Sequence, residues 1–168
     1  MSVTDSEARP TITPRFPEEL VASTAFLLKR LGFAAKERAM RVYEETGLSP
    51  YHHAILVALD DETHETQGSI ADALGYDRGQ LVGLLDELEE RGLVERRRDP
   101  SDRRRQIVEM TQEGKRALNR LRAVSQRLDD DLMSPLDPAE QRKLHALLLR
   151  LAEHHLPHCA QSPTKTRA

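Results

Sequence analysis

The 168-residue sequence has no tryptophan, and aromatic residues make up only 4 % of it. Its core must therefore be built from Leu, Val, Ile and Ala, which suit packed helices better than a β-sandwich. A single cysteine, Cys159, excludes an intramolecular disulfide and fits a reducing compartment. No apolar run approaches the roughly 20 residues of a membrane span. The leading MSVTDSEARPTITPRFP lacks the apolar stretch of a secretory signal. A cytoplasmic location is expected, with no membrane partner. There is no glycine-rich phosphate loop, no G-x-S-x-G elbow and no H-E-x-x-H pair, so no enzymatic activity and no cofactor are expected. Overall basic charge is missing too, since the net charge is −3.

The distribution of charge matters more than its total. Between Arg91 and Arg105 stand seven arginines and three acids, a local +4 that leaves −7 for the rest of the chain. A polyanionic partner needs a basic patch, not a basic protein.

Residues 1–17, with three prolines, read as a flexible arm. From Glu18, apolar residues at three- and four-residue steps (Leu20, Leu27, Leu28, Leu31, Ala34, Ala35, Val42) predict one long helix stopped by Gly47. Ser49 and Pro50 suit the N-cap and first position of a second helix, running to about Leu59. Thr66 caps a short helix, Gln67–Leu74, that ends at Gly75. Asp77 caps another that reaches about Arg91 and closes at Gly92. Leu93–Arg98 and Arg105–Met110 are β-permissive runs around the turn Asp99-Pro100-Ser101-Asp102, which predicts a hairpin. Thr111 starts a helix with Ala117, Leu118, Leu121, Val124, Leu128 and Leu132 on one face. Asp137-Pro138-Ala139-Glu140 starts the last, striped by Leu144, Leu147, Leu148 and Leu151. Residues 157–168 read as a disordered tail.

Helix, short helix, turn, helix and hairpin follow one another as in a winged helix-turn-helix. The expected fold class is mainly α with a small β-hairpin. If Leu81, Leu84, Leu85 and Leu88 face inward, Gly79, Val82, Gly83, Asp86 and Glu90 face outward, with Arg78 and Gln80 flanking the first turn. That amino-terminal end is the part that enters a major groove. Gln80 suits adenine, Val82 a thymine methyl, and Arg78 a phosphate or guanine. Gly79 and Gly83 each cost roughly 1 kcal/mol relative to Ala; they either let the backbone approach DNA or have no role. Gln67 and Ser69, at a helix start, serve either phosphate binding or capping.

The run Leu48–Leu118 resembles the MarR family of bacterial transcriptional regulators. The matching segments are LSPYHHAILVAL, GSIADALGYDRGQLVGLLDELEERGLVERR and RDPSDRRRQIVEMTQEG. The last is the most specific, through Asp99, Asp102, Arg103 and Arg104 followed by Met110-Thr111 and Gly114. The resemblance implies a winged helix-turn-helix DNA-binding domain at 48–111 and a long-helix dimerisation domain formed by 18–47 and 112–156. It further implies a homodimer on a pseudo-palindromic double-stranded operator, acting as a repressor and released by a phenolic or other small-molecule effector.

By motif position Arg104 is the wing-tip residue for a minor groove, with Arg103 on phosphate or the groove floor and Arg98 and Arg105 in support. A guanidinium, planar and always charged, suits a narrow A·T-rich groove. Asp99 and Asp102 are expected to brace these arginines. Family resemblance also puts an effector cavity near the second helix, where Phe33, Tyr51 and His52 are candidate lining residues. His154, His155, His158 and Cys159 suggest zinc, but Pro157 interrupts the helical spacing and no metal site is expected. The alternatives left open are a winged-helix protein-interaction module without DNA binding, and a metal-responsive regulator.

Overall fold

The computed structural model describes residues 16–61 and 66–156. The element order is α1 (Glu18–Val21), α2 (Thr24–Glu44), α3 (Pro50–Asp60), α4 (Gln67–Leu74), α5 (Arg78–Glu90), β1 (Val94–Arg98), β2 (Gln106–Met110), α6 (Gln112–Met133) and α7 (Pro138–His155). The expectation of a mainly helical fold with one hairpin is met. Among the described residues no helix is long and apolar enough to cross a membrane. The chain divides into two units, Met1–Lys36 and Glu37–Ala168.

The described part of the first unit holds α1 and the opening of α2. One continuous helix was expected here; instead α1 stops after a single turn and α2 begins anew at Thr24. Ser23 competes for the backbone, its hydroxyl accepting the Phe26 N–H at 3.3 Å, as a helix-starting serine does. The Phe16 ring meets Phe26 edge-on at 5.2 Å, and the Arg30 guanidinium lies 4.9 Å above Phe16. Leu27, Leu28, Leu31 and Phe33 are exposed.

The second unit holds the core. Ile55 and Leu56 of α3, Ile70 of α4, Leu81, Leu85 and Leu88 of α5, Val94 and Val108 of the hairpin, and Leu118 and Leu121 of α6 are all essentially inaccessible. Each start foreseen from α3 to α7 has its cap: Ser49, Thr66, Asp77, Thr111 and Asp137 accept first-turn N–H groups. Gly75 ends α4 at φ 64°, a left-handed turn that a side chain would strain, and so sets the α4–α5 corner.

Gly114 has a different reason to be glycine. A Cβ there would lie 2.1 Å from the Leu93 carbonyl oxygen, so α6 presses its first turn directly on the chain leading into β1. Thr111 reinforces the same junction, its hydroxyl donating to the Gly92 carbonyl at 2.7 Å. On α7 no residue is buried; Leu147, Leu148, Leu149 and Leu151 stand 39–46 % exposed.

Candidate nucleic-acid interface

Three elements of the second unit converge on one concave surface. The first is the start of α4. Thr66 and Ser69 form a capping box, the Thr66 hydroxyl accepting the Ser69 N–H at 3.1 Å and the Ser69 hydroxyl accepting the Thr66 N–H at 3.1 Å. Thr66 also makes a β-bridge with Ile107, which ties this start to strand β2.

The second is the start of α5, where Asp77 accepts the Gly79 and Gln80 N–H groups at 2.8 and 3.2 Å. With Leu81, Leu85 and Leu88 turned inward, Arg78, Gly79, Gln80, Val82, Gly83 and Glu87 are exposed. Of the strip expected outward, Gly79, Val82, Gly83 and Glu90 are exposed and Asp86 is half-buried, while Glu87, not expected there, is exposed as well.

The third is the wing. Its strands pair antiparallel, with Arg96 opposite Val108 and Arg98 opposite Gln106. Arg96 belongs to the expected basic wing segment but turns back onto α5. Its guanidinium reaches Asp86 and Glu89 at 2.5 Å each, while its backbone N–H reaches Glu89 at 3.1 Å. With only 19 % of that side chain exposed, Arg96 fastens the wing to α5 rather than facing a ligand. Those bonds hold the Glu89 carboxyl below its ordinary range. Arg97 pairs with Glu109 across the hairpin.

The wing loop is closed by backbone bonds from Asp99 N–H to the Arg105 carbonyl (3.1 Å) and from Arg105 N–H to the Asp102 carbonyl (2.8 Å). Asp102 accepts the Arg104 backbone N–H at 3.0 Å and lies 3.4 Å from Arg104 Nε and 3.8 Å from Arg105 Nε. Asp99, expected to brace the wing arginines, is bonded first to Ser101, with Arg105 a weaker attraction. Its carboxylate accepts the Ser101 N–H at 2.7 Å and the Ser101 hydroxyl at 2.6 Å, bonds that lower its pKa and fold the loop. A carboxylate two residues before a Ser-containing turn finds the local backbone first. The Arg104 side chain is 94 % exposed and that of Arg105 65 %. Arg98 and Arg103 are exposed as well.

Between these elements lies a groove of about 730 Å³ lined by Thr66, Gln67, Gly68, Ser69, Asp72, Arg78, Leu81, Arg104, Arg105 and Gln106. Gln67, Ser69, Arg78, Arg104 and Arg105 are thus brought together. Gly79, Gln80, Val82, Gly83, Arg98 and Arg103 lie outside its lining. Asp72, Gly68 and Gln106 had not been singled out. Asp72 occupies the outward side of α4, a position that helical periodicity could have flagged once α4 was placed beside the wing.

The effector candidates differ in their surroundings. Phe33 is in the first unit, exposed. In the second unit the Tyr51 ring packs edge-on against Tyr76 at 5.9 Å. The His52 ring is buried and committed to the cap of α3, where Nδ1 accepts the Ser49 N–H at 3.0 Å, so it offers no free surface to a ligand. Its neighbour His53, noted in the sequence beside His52 but not assigned to the cavity, is half-buried, and its Nδ1 is hydrogen-bonded to the Tyr43 hydroxyl at 2.6 Å. Burial is the main cause that lowers the His53 pKa and raises that of Tyr43. A second hollow of about 450 Å³ is lined by Arg38, Arg41, Val42, Glu45, Arg127, Leu128 and Asp131. Of the suggested metal ligands, His158 and Cys159 lie outside the described residues. Among the described residues, no group of three His, Cys, Asp or Glu side chains is placed to hold a metal ion.

A helix-turn-helix with a clamped, arginine-tipped wing defines a winged-helix DNA-binding protein. Residues 46–105 match the model of the MarR family. The chain is 33 % identical over 133 residues to the putative transcriptional regulatory protein for the hcr operon of Thauera aromatica, covering 79 % of this chain and 80 % of that one. The transcriptional repressor CouR bound to a 23-mer DNA duplex matches with a TM-score of 0.75 at 31 % identity, over 83 % of this chain and 99 % of that one. CouR from Rhodococcus jostii RHA1 bound to p-coumaroyl-CoA matches with a TM-score of 0.68 at 27 % identity, over 81 % and 96 %. The chain belongs to the MarR family of winged-helix transcriptional regulators.

Proposed function

We propose that this regulator is a cytoplasmic, homodimeric repressor that binds a pseudo-palindromic operator and releases it when a small-molecule effector binds. The observation that carries the DNA-binding part is the groove in which Arg78 at the start of α5 and Arg104 and Arg105 of the wing converge. Two helix starts flank it, and the positive end of the helix dipole at each favours an anion such as phosphate. Gln80 and Val82 read base edges at the start of α5, Gly79 and Gly83 allow close approach, and Gln67, Arg98 and Arg103 add backbone contacts, while the Ser69 hydroxyl is taken up by the cap of α4. Arg104 enters the adjacent minor groove. The wing carries more of the specificity than α5, whose exposed strip has few donors.

Self-association rests on the leucines of α2 and α7. Burying such a side chain is worth about 1.5–3 kcal/mol, so exposed stripes of this kind favour a second copy. The dimer would set two α5 helices about one duplex turn apart, roughly 34 Å. The effector part rests on relatives such as CouR, which is seen with p-coumaroyl-CoA as well as with DNA.

Selection of duplexes from a random pool by the purified protein tests this reading. Enrichment of two-fold symmetric sites, with affinity falling steeply in salt, is expected. No retention on heparin and no enriched duplex would favour a protein-interaction module. Stoichiometric metal in the purified protein would favour a metal-responsive regulator. Operator binding abolished by Gln80→Ala but kept by Arg104→Ala would overturn the weight placed on the wing.

A further inference from the structure

His52 occupies the third position of α3, where a capping box ordinarily carries Glu or Gln. Its ring is 3 % exposed. Nδ1 accepts the Ser49 backbone N–H at 3.0 Å and lies 3.0 Å from the Ser49 hydroxyl. A ring nitrogen that accepts cannot also hold the proton, so the neutral imidazole carries its hydrogen on Nε2. That atom lies 3.2 Å from a carboxylate oxygen of Glu87. The oxygen sits off the N–H axis, so the contact is the attraction of a polarised N–H to a carboxylate rather than an aligned hydrogen bond. Glu87 is on the exposed strip of α5, one turn after Gly83.

We propose that His52 is a positioning residue for the recognition helix α5. As the neutral Nε2–H imidazole it joins the Ser49 cap of α3 to Glu87; a second proton strengthens the pull of Glu87 but breaks the Ser49 cap that fixes the ring, and so shifts the seat of α5. That proton must come from solvent to Nδ1, the atom that the Ser49 N–H and hydroxyl occupy, and it leaves the Ser49 N–H facing another N–H. Facing the ring from α5 are Glu87, which favours the second proton, and Arg91, which opposes it; Ser49 faces it from the α3 side. Burial is the largest influence, and the outcome is a ring harder to protonate than an ordinary histidine. The consequence for DNA rests on the operator-binding reading above; the bridge itself does not.

The test has two arms on the full chain. In the first, long-range proton–nitrogen spectra at pH 7.5 locate the His52 proton in the native protein and in Glu87→Gln. The Nε2–H form is expected, with its Nε2 resonance shifted by the Glu87 substitution. The Nδ1–H form, or a resonance indifferent to Glu87→Gln, overturns the bridge whatever the protein does with DNA. In the second, affinity for the selected duplex is measured at pH 7.5 and 5.5 for the native chain, His52→Gln and His52→Leu. Glutamine can accept from Ser49 and donate toward Glu87 but takes no proton. His52→Gln should stay within about threefold of native affinity at pH 7.5, less than one ordinary hydrogen bond, and should lose less affinity than native on acidification. His52→Leu, which can do neither job, should bind more weakly at both pH values. Equal acid losses in the native chain and His52→Gln overturn the proposal, because His53 contributes to both alike. A native chain that binds no duplex at pH 7.5 refutes the operator-binding reading instead, and the spectra alone then decide the bridge.

Discussion

Replacing Arg96 by alanine removes the clamp between the wing and α5, and the size of the effect can be worked from the contacts. The guanidinium makes charge-assisted bonds to Asp86 and Glu89, each 2.5 Å from Nη2, with Nε also 2.9 Å from Glu89. Bonds of this type contribute about 1.5–3 kcal/mol apiece. Two corrections reduce the sum. The guanidinium, 19 % exposed, was costly to desolvate, and Asp86 and Glu89, 50 and 38 % exposed, recover water when it leaves. A net loss of about 2 kcal/mol remains, which at a urea slope of about 2 kcal/mol/M moves the midpoint by about 1 M. The assay is urea unfolding at fixed protein concentration, since an oligomer's stability depends on it. Duplex affinity is measured alongside across a salt series. A clamp residue predicts weaker binding with an unchanged salt slope, whereas a phosphate contact predicts a slope lower by about one. If Arg96→Ala kept its unfolding free energy within about 0.5 kcal/mol of native and lost salt slope, Arg96 would be a DNA contact and the clamp would be wrong.

Gly114→Ala should destabilise by at least about 2 kcal/mol, because its Cβ would sit 2.1 Å from a backbone oxygen that cannot move aside; thermal unfolding reads this directly. Gly83→Ala should act in the opposite direction, stabilising by roughly 0.5–1 kcal/mol, since nothing lies within 4 Å of the added methyl. A Gly83→Ala variant that is more stable yet binds its duplex poorly would show that the backbone there approaches DNA. Acid should weaken the fold in two windows. His52 and His53 have native pKa values below 6.5, so their contribution is complete above 6.5 and is lost as pH falls toward those lowered values. Glu89 has a native pKa below 4.5, so its contribution is present above 4.5 and is lost as pH falls through the lowered value. Arg96→Ala should flatten the lower window only, as followed by unfolding midpoints from pH 8 to 3.

The elements of the second unit were legible because each is announced by local chemistry. A capping oxygen opens each of α3 to α7, and a glycine closes α4 and the approach to the hairpin. The break at Ser23 was not legible: the leucine period runs through it, and only the serine's competition for the backbone ends the first turn. Within the interface, Arg78, Arg104 and Arg105 could be read from motif and position. The turning back of Arg96 could not, because β alternation places it on the Val94 face, while its partners Asp86 and Glu89 depend on how a helix and a hairpin meet. Asp99 was assigned to arginines because charges attract. A serine two residues away is closer than any guanidinium, and proximity along the chain prevailed. His52 sat inside a recognised cap, but only tertiary packing reveals that its far nitrogen reaches another helix.

The single bridge between Thr66 and Ile107 has a mechanical consequence. It pins the outer strand of the wing to the start of α4, while Arg96 pins the inner strand to α5. The hairpin is therefore held from both sides along its strands, almost up to the loop that carries Arg104. A lobe stiffened in this way cannot trade a better fit in one groove for a worse fit in the next. On the operator-binding reading proposed above, such a lobe would engage both grooves or neither, and an effector would gain most by displacing it as a whole.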